Sequence, residues 1–160
     1  MHQIRDSAIV LKRLDYSETS QILAVFTREH GKVRIIAKGS RRSTKRAFSP
    51  GIDLLESGEV VLSVRAVRQE ALAMLTEWRH GRPFLGLRER LDRIYAAQYL
   101  ADATAQLTGD WDPHPDLYVA LEASLAALSE GVSVLGQVVA YQASLLAETG
   151  HALRMEACVS

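Results

Sequence analysis

Arg34, Lys38, Arg41, Arg42, Lys45 and Arg46 place six cationic side chains within thirteen residues, and no acid stands between Glu29 and Asp53. Charges of one sign repel one another, so such a cluster is favourable only beside an anionic counterpart. The chemistry on offer is phosphate recognition. Clustered cations displace the counterions condensed on a polyanion, and the small residues Gly39, Ser40 and Ser43 leave backbone N–H groups free to approach phosphate oxygens. Two other readings stand beside it: a solvated loop, which mixed charges would serve equally well, and a seat for the acidic tail of a protein partner. Gly39-Ser40-Arg41-Arg42 lacks the glycine and lysine placement of a nucleotide P-loop.

Other chemistry-bearing stretches are weaker. Asp110-Trp111-Asp112-Pro113-His114-Pro115-Asp116 spaces three acids and a histidine two apart, but Pro115 falls where an EF-hand loop needs glycine and Leu121 where it needs a bidentate glutamate. A proline-stiffened connection between helices is the better reading, and no metal site is assigned. His2, His30, His80, His114 and His151 fall on different elements without metal-ligand spacing. No nucleophilic triad and no carboxylate pair with two-metal character stands out, so a non-enzymatic role without a cofactor is expected. A second basic set, Arg79, Arg82, Arg88, Arg90 and Arg93, reads as a solvated face paired with Glu89 and Asp92. Alternatively, Arg88 with Leu91 and Ile94 forms a groove for an acidic peptide ending in apolar residues.

Composition narrows the frame. Of 160 residues, 48% are hydrophobic, enough for a real core, and the net charge is zero. The zero hides an asymmetry: residues 1–50 carry eleven Lys/Arg against four Asp/Glu, while residues 51–160 carry eight against fifteen. Such a split points to a polyanion site on the basic part. The sequence holds no run of eighteen apolar residues and no signal-like opening, so a cytoplasmic protein without a membrane partner is expected. Cys158, the one cysteine, forms no internal disulfide.

The positioning elements follow from periodicity. Residues 7–16 and 21–27 read as strands around the polar turn Ser17-Glu18-Thr19-Ser20. After Glu29-His30-Gly31, residues 32–38 alternate, with Val33, Ile35 and Ala37 on one face and Lys32, Arg34 and Lys38 on the other. Residues 52–55 and 60–64 flank Glu56-Ser57-Gly58-Glu59 and predict a hairpin, completing five strands. Residues 66–81 suit helix or strand equally.

From Pro83 the period is helical, with Phe84, Leu87, Leu91, Ile94, Tyr95 and Tyr99 expected on the buried face. A second helix from Asp116 buries Leu117, Leu121, Leu125 and Leu128 and stops at Gly131. A third from Ser133 buries Leu135, Val138, Val139, Leu145 and Leu146 and ends at Gly150. Strands followed by helices imply an α+β chain: a five-stranded OB-fold β-barrel over residues 1–80, then an α-helical domain over residues 81–160. Tyr16, Phe26 and Phe48 are the aromatics of the first sixty-six residues, so electrostatics should outweigh stacking in nucleic-acid binding. An RNA-binding OB module and a protein adaptor capturing acidic tails remain alternatives.

Residues 8–42, AIVLKRLDYSETSQILAVFTREHGKVRIIAKGSRR, resemble the RecO recombination mediators of bacteria. The match lies in the opening strand, Asp15-Tyr16-x-Glu18, Phe26-Thr27, Gly31-Lys32 and Ala37-Lys38-Gly39-x-Arg41-Arg42, with looser similarity in LRERLDRIYAAQYLAD. The resemblance implies an OB-fold with a helical domain that binds single- and double-stranded DNA and anneals complementary strands in repair. It also implies work with RecR, contact with the C-terminal tail of single-stranded DNA-binding protein, indirect action on RecA loading, and a nucleoid-associated location. The family's basic face falls on Lys32, Arg34, Lys38, Arg41 and Arg42; Lys45 and Arg46 rest on charge alone. Many members carry a four-cysteine zinc ribbon, and one cysteine cannot build such a site.

Overall fold

The computed structural model describes residues 2–39, 52–65 and 72–151. Strands β1 (His2–Asp15), β2 (Gln21–Thr27) and β3 (Gly31–Ala37) form an antiparallel meander, as the two polar turns predict. At the first turn the Ser17 hydroxyl accepts from the Ser20 N–H, and Gly31 closes the second at φ +72. In β3, Val33, Ile35 and Ala37 are fully buried while Arg34 points to solvent. The expected alternation is present.

Among the described residues, β4 (Ser57–Val64) and β5 (Ala73–His80) complete a closed barrel in the order β1-β2-β3-β5-β4, with β3 and β5 parallel and the other pairs antiparallel. This is an OB-fold, and the chain is α+β. One strand differs from the sequence reading, and the expected strand over residues 60–64 begins three residues earlier, as β4. Residues 52–55 are not a strand: Ile52 and Leu55 are buried in the two cores that flank this segment, and Leu55 sits at φ +65. Ser57-Gly58-Glu59 is not a turn but the start of β4. A side chain at Gly58 would come within 2.4 Å of the Arg79 carbonyl and 3.0 Å of the Trp78 ring, so that glycine marks close approach inside a barrel. The ambiguous stretch supplies the fifth strand, β5, from Ala73.

A 3-10 turn (Leu85–Glu89) leads into α1 (Leu91–Leu107), α2 (Pro115–Ser129) and α3 (Val134–Glu148). Helix α2 buries Leu117, Leu121, Leu125 and Leu128 completely, as its period predicts. Asp116 lies in its first turn, while His114 is the N-cap. Ser133 caps α3 by accepting from the Gly136 N–H, and Gly131 and Gly150 hold positive φ after α2 and α3.

Helix α1 is turned from the predicted face. Its buried side is Ala96, Ala97, Leu100, Ala101, Thr104 and Ala105, while Leu91 is 71% and Tyr95 64% exposed. Tyr99 is exposed as well. Alanines let α1 approach its neighbours closely, which the larger side chains would prevent. Leu135 and Val139 of α3 are also exposed, because α3 offers its neighbours a narrow stripe centred on Tyr141 and Leu145.

Two cores result. One fills the barrel with Val10, Leu23, Val25, Val33, Ile35, Leu62 and Trp78. The second joins the outer barrel residues Ile9, Leu11 and Phe26 to Leu100, Leu117, Leu121, Leu125 and Leu128. Each fully buried aliphatic or aromatic side chain contributes about 1.5–3 kcal/mol, so this shared core fixes the helices against the sheet. Within it the Tyr141 hydroxyl meets Thr104 Oγ1 at 2.5 Å, and burial pushes that phenol above its ordinary pKa.

Candidate nucleic-acid interface

The cationic positions of β3 are fixed by the barrel register, which sets Phe26 opposite Lys32 and Ala24 opposite Arg34. Lys32 is drawn inward. Its side chain is 15% exposed, its ammonium donates to the Ala105 and Thr108 carbonyls at 2.7 Å each, and it lies 3.3 Å from Asp110. It neutralises the carbonyl end of α1, where a cation is favoured. Arg34 is half exposed and its Nε donates to Asp110 Oδ2 at 3.0 Å. Asp110 thus joins both cations, and the Trp111 N–H donates to the Lys32 carbonyl at 2.8 Å. The connection between α1 and α2 is thereby stitched along β3.

Lys38 stands exposed one residue past β3, followed by Gly39 at φ +71. Arg41, Arg42, Lys45 and Arg46 lie outside the described residues, as does Cys158. Lys12 of β1, opposite Ala24, is half exposed and pairs with Asp102 at 2.9 Å. The outer face of β1, β2 and β3 therefore carries cations whose helical-side members are met by acids and whose far member, Lys38, leads into the basic segment.

The second basic set divides. Arg90 pairs with Asp92, and Arg93 with Glu89 at i,i+4. Arg88 and Ile94 do come together, lining a cleft of about 560 Å³ between barrel and helices with Arg13, Arg82, Leu54 and Phe84. Leu91 is not among its lining residues. At its edge Asp53 accepts from Arg13 and Arg88, both at 2.7 Å. Burial alone would raise the Asp53 pKa; the Leu54 N–H, Arg88 and Arg13 outweigh it and hold the carboxyl below its ordinary value. Sequence reading missed Asp53 and Asp110 as joints, although each is an acid of the acidic part that pairs with cations of the basic part.

The 110–116 connection does not gather its acids. Asp110 faces β3, while Asp112 and Glu148 flank His114 at 3.1 and 3.7 Å. Among the described residues no three metal-ligating side chains converge, and no helix is long and apolar enough to cross a membrane.

Comparison with known proteins follows the same two parts. Residues 1–84 match the family described as recombination protein O N terminal, and residues 88–160 the one described as recombination protein O C terminal. The DNA repair protein RecO of Rhodopirellula baltica is 32% identical over 151 residues, covering 94% of this chain and 55% of the relative. That of Myxococcus xanthus is 30% identical over 161 residues, covering 99% and 63%. That of Geobacter metallireducens is 31% identical over 160 residues, covering 100% and 64%. The chain spans less than two thirds of the length of these relatives.

Proposed function

The chain belongs to the RecO family, and on that premise we propose that it is a DNA-binding module of DNA repair that brings complementary strands together. The observation that carries this reading is the exposed Lys38 at the end of β3, leading an OB-fold strand directly into Arg41, Arg42, Lys45 and Arg46. These cations neutralise phosphates of two strands, which lowers strand repulsion and lets base pairing proceed. No covalent step is involved. Lys32 has a different part: it holds the α1 end against β3, while Arg34, tied to Asp110, supplies a fixed positive edge. Assistance to RecA loading, in concert with RecR, follows from this role. A mobility-shift assay with single- and double-stranded oligonucleotides over a salt series tests the reading.

A second specific observation favours a protein contact as well. The cleft between barrel and helices has an apolar floor, with Leu54, Phe84 and Ile94, and a cationic rim of Arg13, Arg82 and Arg88. That pairing of chemistries suits an acidic peptide ending in apolar residues, such as the C-terminal tail of single-stranded DNA-binding protein. Leu91, exposed on α1 outside the cleft lining, has no part in this seat.

A further inference from the structure

Glu56 Oε2 is, among the described residues, the one buried side-chain polar atom without a hydrogen bond. A buried carboxylate oxygen that lacks a donor costs free energy. His80 Nδ1 stands 3.3 Å away, near enough to supply one. That nitrogen is already taken. The Trp78 indole Nε1–H donates to it at 3.3 Å, with the two rings edge to face. A ring nitrogen that accepts keeps its lone pair and has no proton to give, so the His80 proton sits on Nε2 and Glu56 Oε2 faces a lone pair.

The surrounding charges do not relieve Glu56. Arg13 and Arg88, which line the same cleft between barrel and helices, are both held by Asp53. On the other side of His80, Arg79 is held by Glu77 and Arg82 by Glu130. Glu59 of β4 and Glu122 of α2 share the hollow there and bring only negative charge, while burial keeps the Tyr118 phenol neutral. His80 is the group within reach.

We propose that Glu56, His80 and Trp78 form a proton-operated switch on the wall of the cleft. Histidine is the side chain whose charge changes between pH 5 and 8. Neutral His80 accepts from Trp78. Once protonated it carries hydrogen on both ring nitrogens, so Nδ1 releases the indole and donates to Glu56 Oε2. The switch lies where β5 leaves the barrel: His80 is opposite Gly58 of β4, and the Gly81 N–H donates to the Ser57 carbonyl at 2.8 Å. On the reading that this cleft takes an acidic peptide, protonation adds one positive charge to its wall, and peptide binding tightens as pH falls.

Glu56→Gln, followed by urea unfolding at pH 8 and at pH 5.5, tests the switch. Losing the undonated carboxylate should raise the midpoint at pH 8, and losing the ion pair should lower it at pH 5.5. In a His80→Gln background the effect should keep one sign at both pH values. An effect of one sign, or none, at both pH values with His80 present overturns the switch. For a labelled acidic peptide with an apolar C-terminus, wild-type affinity should rise about threefold from pH 8 to pH 5.5, and His80→Gln should abolish the rise. Peptide binding without pH dependence overturns the coupling to the cleft. A peptide that binds at neither pH overturns the peptide reading, while a stability effect that changes sign still upholds the switch.

Discussion

Lys32 Nζ lies 3.3 Å from Asp110 Oδ1, and the same ammonium donates to two carbonyls at the end of α1. A cation inside a basic sequence cluster is therefore a joint between sheet and helices. Lys32→Met should lower stability by about 2–3 kcal/mol, since it leaves two part-buried carbonyls without their donor and leaves Asp110 with Arg34 as its remaining cation. DNA affinity of the folded variant should barely change. Denaturant unfolding alongside a binding titration checks both halves; intact stability with lost binding would reverse the assignment.

Gly31 makes the same joint from the backbone. It holds φ +72, and a Cβ there would stand 1.9 Å from the Asp112 carbonyl oxygen. Gly31→Ala should destabilise the protein by more than about 2 kcal/mol, combining positive-φ strain with displacement of the 110–112 segment. Thermal unfolding reads the loss, and Gly150→Ala, where nothing lies within 4 Å, should cost less.

Asp53 predicts a pH dependence. Its carboxyl is held below the ordinary value of 3.8 despite burial, through the Leu54 N–H, Arg88 and Arg13. A depressed acid stabilises the folded state above its unfolded pKa and loses that contribution as pH falls through the folded value. Wild-type stability should therefore drop below about pH 4, and Asp53→Asn should show a shallower drop over the same range. Urea unfolding from pH 6 to pH 2 compares the two proteins; parallel curves would contradict the role.

At the cleft, Arg88→Glu with Ile94→Ser should weaken binding of a short acidic peptide with an apolar C-terminus by about tenfold, because both the cationic rim and the apolar floor are lost. Leu91→Ser, outside the cleft lining, should leave that affinity alone. Fluorescence anisotropy of a labelled peptide measures both. Equal effects of the two changes would detach the peptide site from the cleft.

Much of this was legible in the residues. Strict alternation exposed β3 and its cationic face, and leucines at three and four exposed the buried side of α2. Where reading failed, a local signal was outweighed by packing. Gly58 looks like a turn because glycine frees the backbone, yet here it makes room for the Trp78 ring. Helix α1 has two apolar sides, and its alanines won over Leu91, Tyr95 and Tyr99 because close approach to the sheet needs small residues. Pairing of Lys32 with Asp110 spans seventy-eight positions, a contact that no local pattern encodes.

The most direct measurement is the salt dependence of single-stranded DNA affinity for the wild-type chain and for Arg41→Glu with Arg42→Glu. With Arg34 engaged by Asp110, the five cations from Lys38 to Arg46 should give a slope of log K against log salt near −3.5, from ~0.7 per phosphate. The double variant should bind weakly with a slope nearer −2. A wild-type slope close to zero, or equal affinities of the two proteins, would contradict the claim that this basic segment holds DNA.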